Sequence, residues 1–436
     1  LMSLFLIVRH TRAEEDSERV ELVRSHAVGR HAPSAAAVAV VGSANLVIGL
    51  GAAIGFVAIG YGTVGSFTLA GSLTAVGLVF VGVAAVAAEV ASNARTALAL
   101  GGVVLGAAFV LRAIGDVGDN AWRWASPIGW AQSSRAFAGE RWWPLLLALT
   151  AAVALVVAAF WLSTRRDLGA GIVPARPGPP VAAGWSASPL GFAVKLQWAA
   201  VAAWTAAMLV LAVVFGAIAE DVETIIEASP AMEEMLLAAG GADVVDTYLA
   251  TAITMLGSIA AGFAVASASR LHTEEAAGRA ESLLAAAISR RRWMASHLLV
   301  AGAGTAIVLA AAGAGLGAAR AVATGDAGDV PRLIGATLAS APAVWVLAAV
   351  AVALFGLVPR AALAGWGALA AVWIVVFFGE LLDLPDWARV VSPFEHLASV
   401  PVEDPAAGPL VTLTVLAVGL AFVGVWGFDR RDLRAT

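Results

Sequence analysis

Long apolar runs separated by short polar intervals dominate the chain. Ten runs predict complete membrane helices: 34–61, 64–90, 94–116, 143–163, 196–219, 246–269, 294–320, 331–357, 361–382 and 407–428. A span needs roughly 20 apolar residues, and runs that exceed this leave room for tilt. In hydrocarbon a segment must satisfy its own backbone polar groups, so unbroken runs of this length predict helices. Strands of a membrane barrel would instead read as short alternating segments. Before the first run stands LMSLFLIV, followed at once by Arg9 and His10. A signal peptide places its charge first. The stretch reads as the last turns of a helix whose beginning precedes the sequence.

Composition narrows the class. Of 436 residues, 60% are hydrophobic and 13% charged, against about 45–50% and about 25% in soluble domains. Too little polar surface exists to cover a water-soluble fold of this size, which argues against a soluble enzyme, a disordered chain and a nucleic-acid binder. The expected fold is therefore all-α and polytopic in the membrane. The absence of cysteine removes disulfides, thiolate metal sites and cysteine nucleophiles. Six histidines occur without metal-binding spacing, so no metal site is expected.

Charge assigns sides to the loops. If the ten spans alternate, segments 9–33, 91–95, 164–195, 270–293, 358–360 and 429–436 share one side and carry 19 of the 26 Arg and Lys. Segment 220–246, on the other side, has eight acids and no base. The positive-inside rule places the first set, and both termini of this sequence, in the cytoplasm.

The chain also repeats itself. Glu14, Glu15, Arg19, Glu21 and Arg30 recur 260 residues later as Glu274, Glu275, Arg279, Glu281 and Arg290. The run Arg123-Trp124-Ala125-Ser126-Pro127 resembles Arg389-Val390-Val391-Ser392-Pro393, and Arg165-Arg166-Asp167-Leu168 matches Arg430-Arg431-Asp432-Leu433. Ordered matches at a nearly constant offset predict a tandem duplication of a six-helix transmembrane domain in one orientation. The expected domains are 1–168, lacking its first one to two spans, and 191–436. A linker at 169–190, with Pro174, Pro177, Pro179 and Pro180, joins them. On this reading the intact molecule has twelve spans, six plus six.

Three segment types are candidates for function. On a helix through 274–288, Glu275 and Arg279 make an i,i+4 pair in the favourable order, while Leu283, Leu284 and Ile288 form an apolar patch toward the other side. In the first copy Glu15 and Arg19 repeat the pair, and Val20, Val23 and Val28 repeat the patch. Such charged cytoplasmic tips could dock on a two-fold symmetric partner. The segments with Ser126, Pro127, Ser392 and Pro393 are too short and polar to span, and predict interfacial or re-entrant helices on the outer side. Trp122, Trp124, Trp130, Trp142 and Trp143 suit the headgroup level. No phosphate-binding loop occurs, so ATP hydrolysis is not expected in this chain. Glu89, Arg112, Asp116 and Glu380 sit near span ends. With no ionisable residue at mid-membrane, an ion-driven secondary transporter and a membrane-embedded lipid-modifying enzyme become weaker alternatives, beside a structural subunit without cargo. No substrate-contact or catalytic residue stands out.

The run SPIGWAQSSRAFAGERWWPLLLAL, followed by RRDLGAGIVPARPGPP, resembles the membrane subunits of bacterial exporters of polyketide antibiotics, the group that holds the tetronasin-transport permeases. These fall in the type-2 ABC exporter class. The resemblance covers essentially the whole chain. It implies a plasma-membrane permease that moves hydrophobic or amphipathic small molecules outward by alternating access. It implies an interfacial connecting helix near Gly184 to Trp198, coupling helices at the two Glu-Glu segments, and re-entrant outer helices at the Ser-Pro segments. Power would come from two copies of a separate ATPase subunit carrying ATP and Mg. Lipid and a small hydrophobic cargo would be the other partners, with no nucleic acid.

Overall fold

The computed structural model describes the chain except residues 118–120, 175–182, 228–243, 286–287, 380 and 433–436. Pro177, Pro179, Pro180, Glu380, Leu433 and most of the acidic segment 220–246 therefore lie outside the described residues, as does the Val23 side chain. All regular structure among the described residues is helical. The chain forms two compact units, Leu1–Pro179 and Pro180–Thr436, and the division falls within the proline-rich stretch 169–190.

Unit 1 contains α1 (Met2–His10), α2 (Arg12–Asp16), α3 (Arg19–Arg24), α4 (Ala32–Ala58), α5 (Thr63–Val90), α6 (Ala94–Val117), α7 (Pro127–Gln132) and α8 (Trp143–Ser163). Helix α5 is its axis and packs against α1, α4, α6 and α8. Val81, Ala84 and Ala88 are buried on it, and Ile7 and Val8 of α1 close the same core. The apolar residues of α8 divide differently. Leu146, Val153 and Val157 are exposed, a face that water would not tolerate and lipid tails would solvate.

Unit 2 contains α9 (Pro189–Glu227), α10 (Val244–Ala276), α11 (Arg279–Leu284), α12 (Arg290–Thr324), α13 (Asp329–Leu338), α14 (Ala341–Leu357), α15 (Ala364–Phe378), α16 (Asp386–Arg389) and α17 (Ala407–Arg430). Helix α10 holds the centre and touches α9, α12, α14 and α15. Helices α14 and α17 approach through paired glycines. A side chain on Gly356 would collide with the Gly424 carbonyl, and one on Gly424 with the Val352 carbonyl. Small residues let helix backbones approach this closely in a bilayer.

Nine helical stretches among the described residues are long and apolar enough to cross a bilayer. The all-α polytopic class is thus the observed one, but several expected segments differ. The run 361–382 yields only the 15-residue α15, about 22 Å long at 1.5 Å per residue, against a hydrocarbon core of about 30 Å. Pro359 lies in a 3-10 turn (Pro359–Ala361) ahead of it. Arg389 caps its far end by donating to the Gly379 and Leu384 carbonyls. The run 331–357 is one crossing stretch as expected, Asp329–Leu357, with a turn between α13 and α14 ahead of Pro342, which cannot donate to the preceding turn. The expected connecting helix at 184–198 is not a separate element. A 3-10 turn (Gly184–Ala187) leads into α9, which runs unbroken from Pro189 because nothing after that proline interrupts it.

Candidate functional site: an ion-pair clamp in each unit

The Glu-Glu segments do not form the continuous helices expected of them. Helix α10 ends at Ala276, Gly278 takes a left-handed conformation (φ 70°), and α11 starts afresh at Arg279. In unit 1, α2 ends at Asp16, Glu18 takes the same conformation (φ 60°), and α3 starts at Arg19. Glycine adopts this turn freely; glutamate does so at a cost. The break rotates residue 279 away from residue 275, and residue 19 away from residue 15. The expected i,i+4 pairs Glu275–Arg279 and Glu15–Arg19 are therefore not formed. Arg279 turns back to Glu274, at 2.7 Å, and Glu274 also meets Arg270 at 3.5 Å. The hydrogen bonds that Arg279 donates to Glu274 hold its guanidinium above its usual pKa. Arg19 lies 3.8 Å from Glu14 with Arg19 exposed and Glu14 half-buried, a water-screened pair worth little.

The turn frees the second glutamate of each segment for another partner. In unit 2, Arg431, just past the end of α17, donates to both carboxylate oxygens of Glu275, at 2.7 and 2.6 Å. In unit 1, Arg166, just past the end of α8, donates to both oxygens of Glu15, at 2.8 and 2.7 Å. Two-point pairing fixes direction as well as distance. The Glu15, Glu275 and Arg166 side chains are each at most one-tenth exposed, and Arg431 only slightly more. A second arginine locks each junction. Arg30 donates to the carbonyls of Ser163 and Arg166, and Arg290 to those of Phe428, Asp429 and Arg431. These are carbonyls that a helix end leaves unpaired. Next to each clamp an arginine lies over an exposed tryptophan of the same helix, Arg165 on Trp161 at 3.8 Å and Arg430 on Trp426 at 4.2 Å.

The two clamps differ behind this shared frame. Arg166 also pairs with Glu89 at the end of α5. Burial alone would lower its pKa, but the hydrogen bonds and charges of Glu15 and Glu89 outweigh that and raise it. Fully buried Arg12 adds bonds to Glu15 and to the Ser92, Gly169 and Ala170 carbonyls. In unit 2 the corresponding positions 272 and 354 hold His and Leu. There Arg431 lies on the faces of Phe355 and Phe428, at 5.0 and 4.9 Å, which stabilise a desolvated guanidinium.

The structure thus separates the predicted residues by exposure. Glu15, Glu274 and Glu275 face inward, whereas Arg19, Glu21, Arg279 and Glu281 lie in or beside α3 and α11 with exposed side chains. Leu283, Leu284 and Ile288 pack onto the core of unit 2, which explains the apolar patch. Sequence reasoning used Arg166 and Arg431 only as repeat markers and overlooked Arg12; for the first two, their recurrence after the Glu-Glu segments in the same order was the available signal.

At the opposite end of each unit the Ser-Pro segments form less helix than expected. Ser126 accepts from the Ile128 N–H, starting the six-residue α7, and donates to the Ala108 carbonyl at 2.6 Å. Ser392 accepts from the Phe394 N–H and starts a 3-10 turn (Pro393–His396). Proline at the first position suits a helix start, but neither segment continues. Trp122, Trp124, Trp142 and Trp143 are exposed near the unit 1 segment.

Comparison with known proteins bears on this architecture. Residues 187–429 match the family model of the multidrug efflux system permease Rv1217c, C-terminal domain. The chain is 39% identical over 433 residues to the multidrug efflux system permease protein Rv1217c of Mycobacterium tuberculosis (strain ATCC 25618 / H37Rv), an alignment covering 99% of this chain and 79% of that protein. A multi-pass membrane protein with this match along nearly its whole length belongs to the multidrug efflux system permease family represented by Rv1217c.

Proposed function

We propose that the chain is the membrane subunit of an ATP-driven exporter of hydrophobic or amphipathic drug-like molecules. It is a duplicated permease of the type-2 ABC class, close to the polyketide-antibiotic exporters, and two copies of a separate ATPase subunit power it. The observation that carries this reading is the clamp found twice, with the same partners in the same order. Two units that repeat a buried ion pair, a left-handed turn and an arginine cap are best understood as two copies of one domain.

The clamp also supplies a route for force. Arg19 and Glu21 in one copy, and Arg279 and Glu281 in the other, offer the exposed charges on which an ATPase could bear. A push on α3 or α11 would pass through Glu15 or Glu275 into Arg166 or Arg431, and so into the end of α8 or α17. A two-point ion pair between buried groups transmits such a push with little slack, because its geometry is fixed and water is excluded. The excess of arginine on these segments places them, on our reading, in the cytoplasm, where ATP is available. Outward movement then follows by alternating access, with the Ser-Pro segments at the outer face.

Purification of the protein from its native membrane tests the proposal. A Walker-type ATPase should accompany it at two copies per permease. Dye efflux that persists without any such subunit, and collapses with the proton gradient, would favour the ion-driven alternative and refute ours.

A further inference from the structure

Unit 2 contains a cavity of about 490 Å³ at the end of α10 remote from the clamp. The volume lies within the roughly 300–1,000 Å³ of drug-sized sites. Its floor is buried: Ser340, at the break between α13 and α14, and Phe394 of the Ser-Pro segment are 5% and 6% exposed. Its wall on α10 carries Thr251 and Thr254, and its mouth carries the exposed carboxylates of Glu395 and Glu403.

The charged chemistry of this lining is one-sided. The Thr251 and Thr254 hydroxyls donate to carbonyls of their own helix, at 3.1 and 3.0 Å. Their single donors are used, so toward the cavity each offers only lone pairs. The two glutamates add acceptors and negative charge, and no Arg, Lys or His is among the described lining residues. An acceptor-rich wall over an aromatic floor suits a flat or bulky apolar body bearing a positive charge and N–H groups. The Ser-Pro segment of unit 1 is built the other way. Its smaller hollow, about 240 Å³, is lined by Arg123, Arg135 and Arg141 with Asp116.

We infer that the cavity of unit 2 is a binding site for amphipathic organic cations, with the amine held at Glu395 and Glu403 and the apolar body over Phe394. This deepens the export reading and rests on it for a purpose, but binding can be measured without ATP or transport. The test is fluorescence titration of ethidium, a cation with two amino groups, into the purified full chain in uncharged detergent at low salt. The double variant Glu395→Gln with Glu403→Gln should weaken binding about fivefold, the loss expected for two exposed charge pairs. Thr251→Trp, which fills the wall from an exposed position, should weaken it by about tenfold or more. Asp386→Asn, an exposed acid outside the lining, should leave it unchanged, and the anion anilinonaphthalenesulfonate should not compete. Ethidium that fails to bind the unaltered protein, or binds the glutamine and tryptophan variants as tightly, would overturn the inference. If ethidium binding follows the expected pattern while ATP-driven efflux fails, the site stands and the export reading falls.

Discussion

Replacing Arg166 with leucine is expected to destabilise unit 1 by about 3–5 kcal/mol, the cost of removing one partner from a buried charge pair. The effect is large because Arg166 serves two carboxylates at once, Glu15 and Glu89. Without it both are left buried, with Arg12 reaching Glu15 and Asp16 but not Glu89 among the ion pairs of the described residues. A double replacement, Arg166→Leu with Glu89→Leu, should recover part of the loss, because it removes a charge the variant cannot compensate. Thermal unfolding in detergent checks both. The same clamp should be insensitive to alkali. A cation whose pKa is raised on folding contributes stability that is fully present below its unfolded pKa. That contribution is lost only as pH rises through the higher folded value. For the raised Arg166 guanidinium both values lie above working conditions, so its contribution should stay constant up to about pH 10.

The largest expected effect on transport comes from the outward charges. Reversing Glu21 and Glu281 to lysine should reduce ATP-driven efflux at least tenfold, since like charges brought together at an interface cost several kcal/mol. Unfolding temperature should be unchanged, because both side chains are exposed. Reversing Glu274 and Glu275 should instead lower the unfolding temperature together with efflux. These carboxylates are 1% and 5% exposed and are bound within the protein. Efflux and melting curves measured on the same membranes separate the two classes. Equal efflux in the Glu21→Lys, Glu281→Lys variant and the unaltered protein would remove α3 and α11 from the coupling path.

Much of this fold was legible in the residues, because bilayer helices obey a strong constraint. The run 143–163 coincides with α8, and 94–116 falls within one residue of α6. The failures have local causes. Apolar composition alone gave no warning that α15 stops after 15 residues. The Glu-Glu segments show the limit most clearly. Spacing read 275 and 279 as neighbours on a helix, which holds only while the helix continues. Gly278 was visible in the sequence as a breaker, but Glu18 at the matching position was not, because glutamate rarely adopts a left-handed backbone. The true partners, Glu15 with Arg166 and Glu275 with Arg431, lie more than 150 residues apart. No local periodicity can connect them; only the repeat of both motifs hinted that they work together. The cavity of unit 2 was beyond reach for the same reason, since its lining comes from four separated stretches of chain.

The central claim is that force enters at exposed charges and reaches the last helix of each unit through the clamp. The most direct test is reconstitution of the permease with its ATPase in liposomes, with ATP hydrolysis and dye movement recorded together. For Glu275→Arg and Arg431→Glu singly, the account predicts that ATP is still consumed while dye export is lost. Combining the two substitutions should restore export in part, because the pair is re-formed with its ends exchanged. Full export coupled to hydrolysis in either single variant would contradict it.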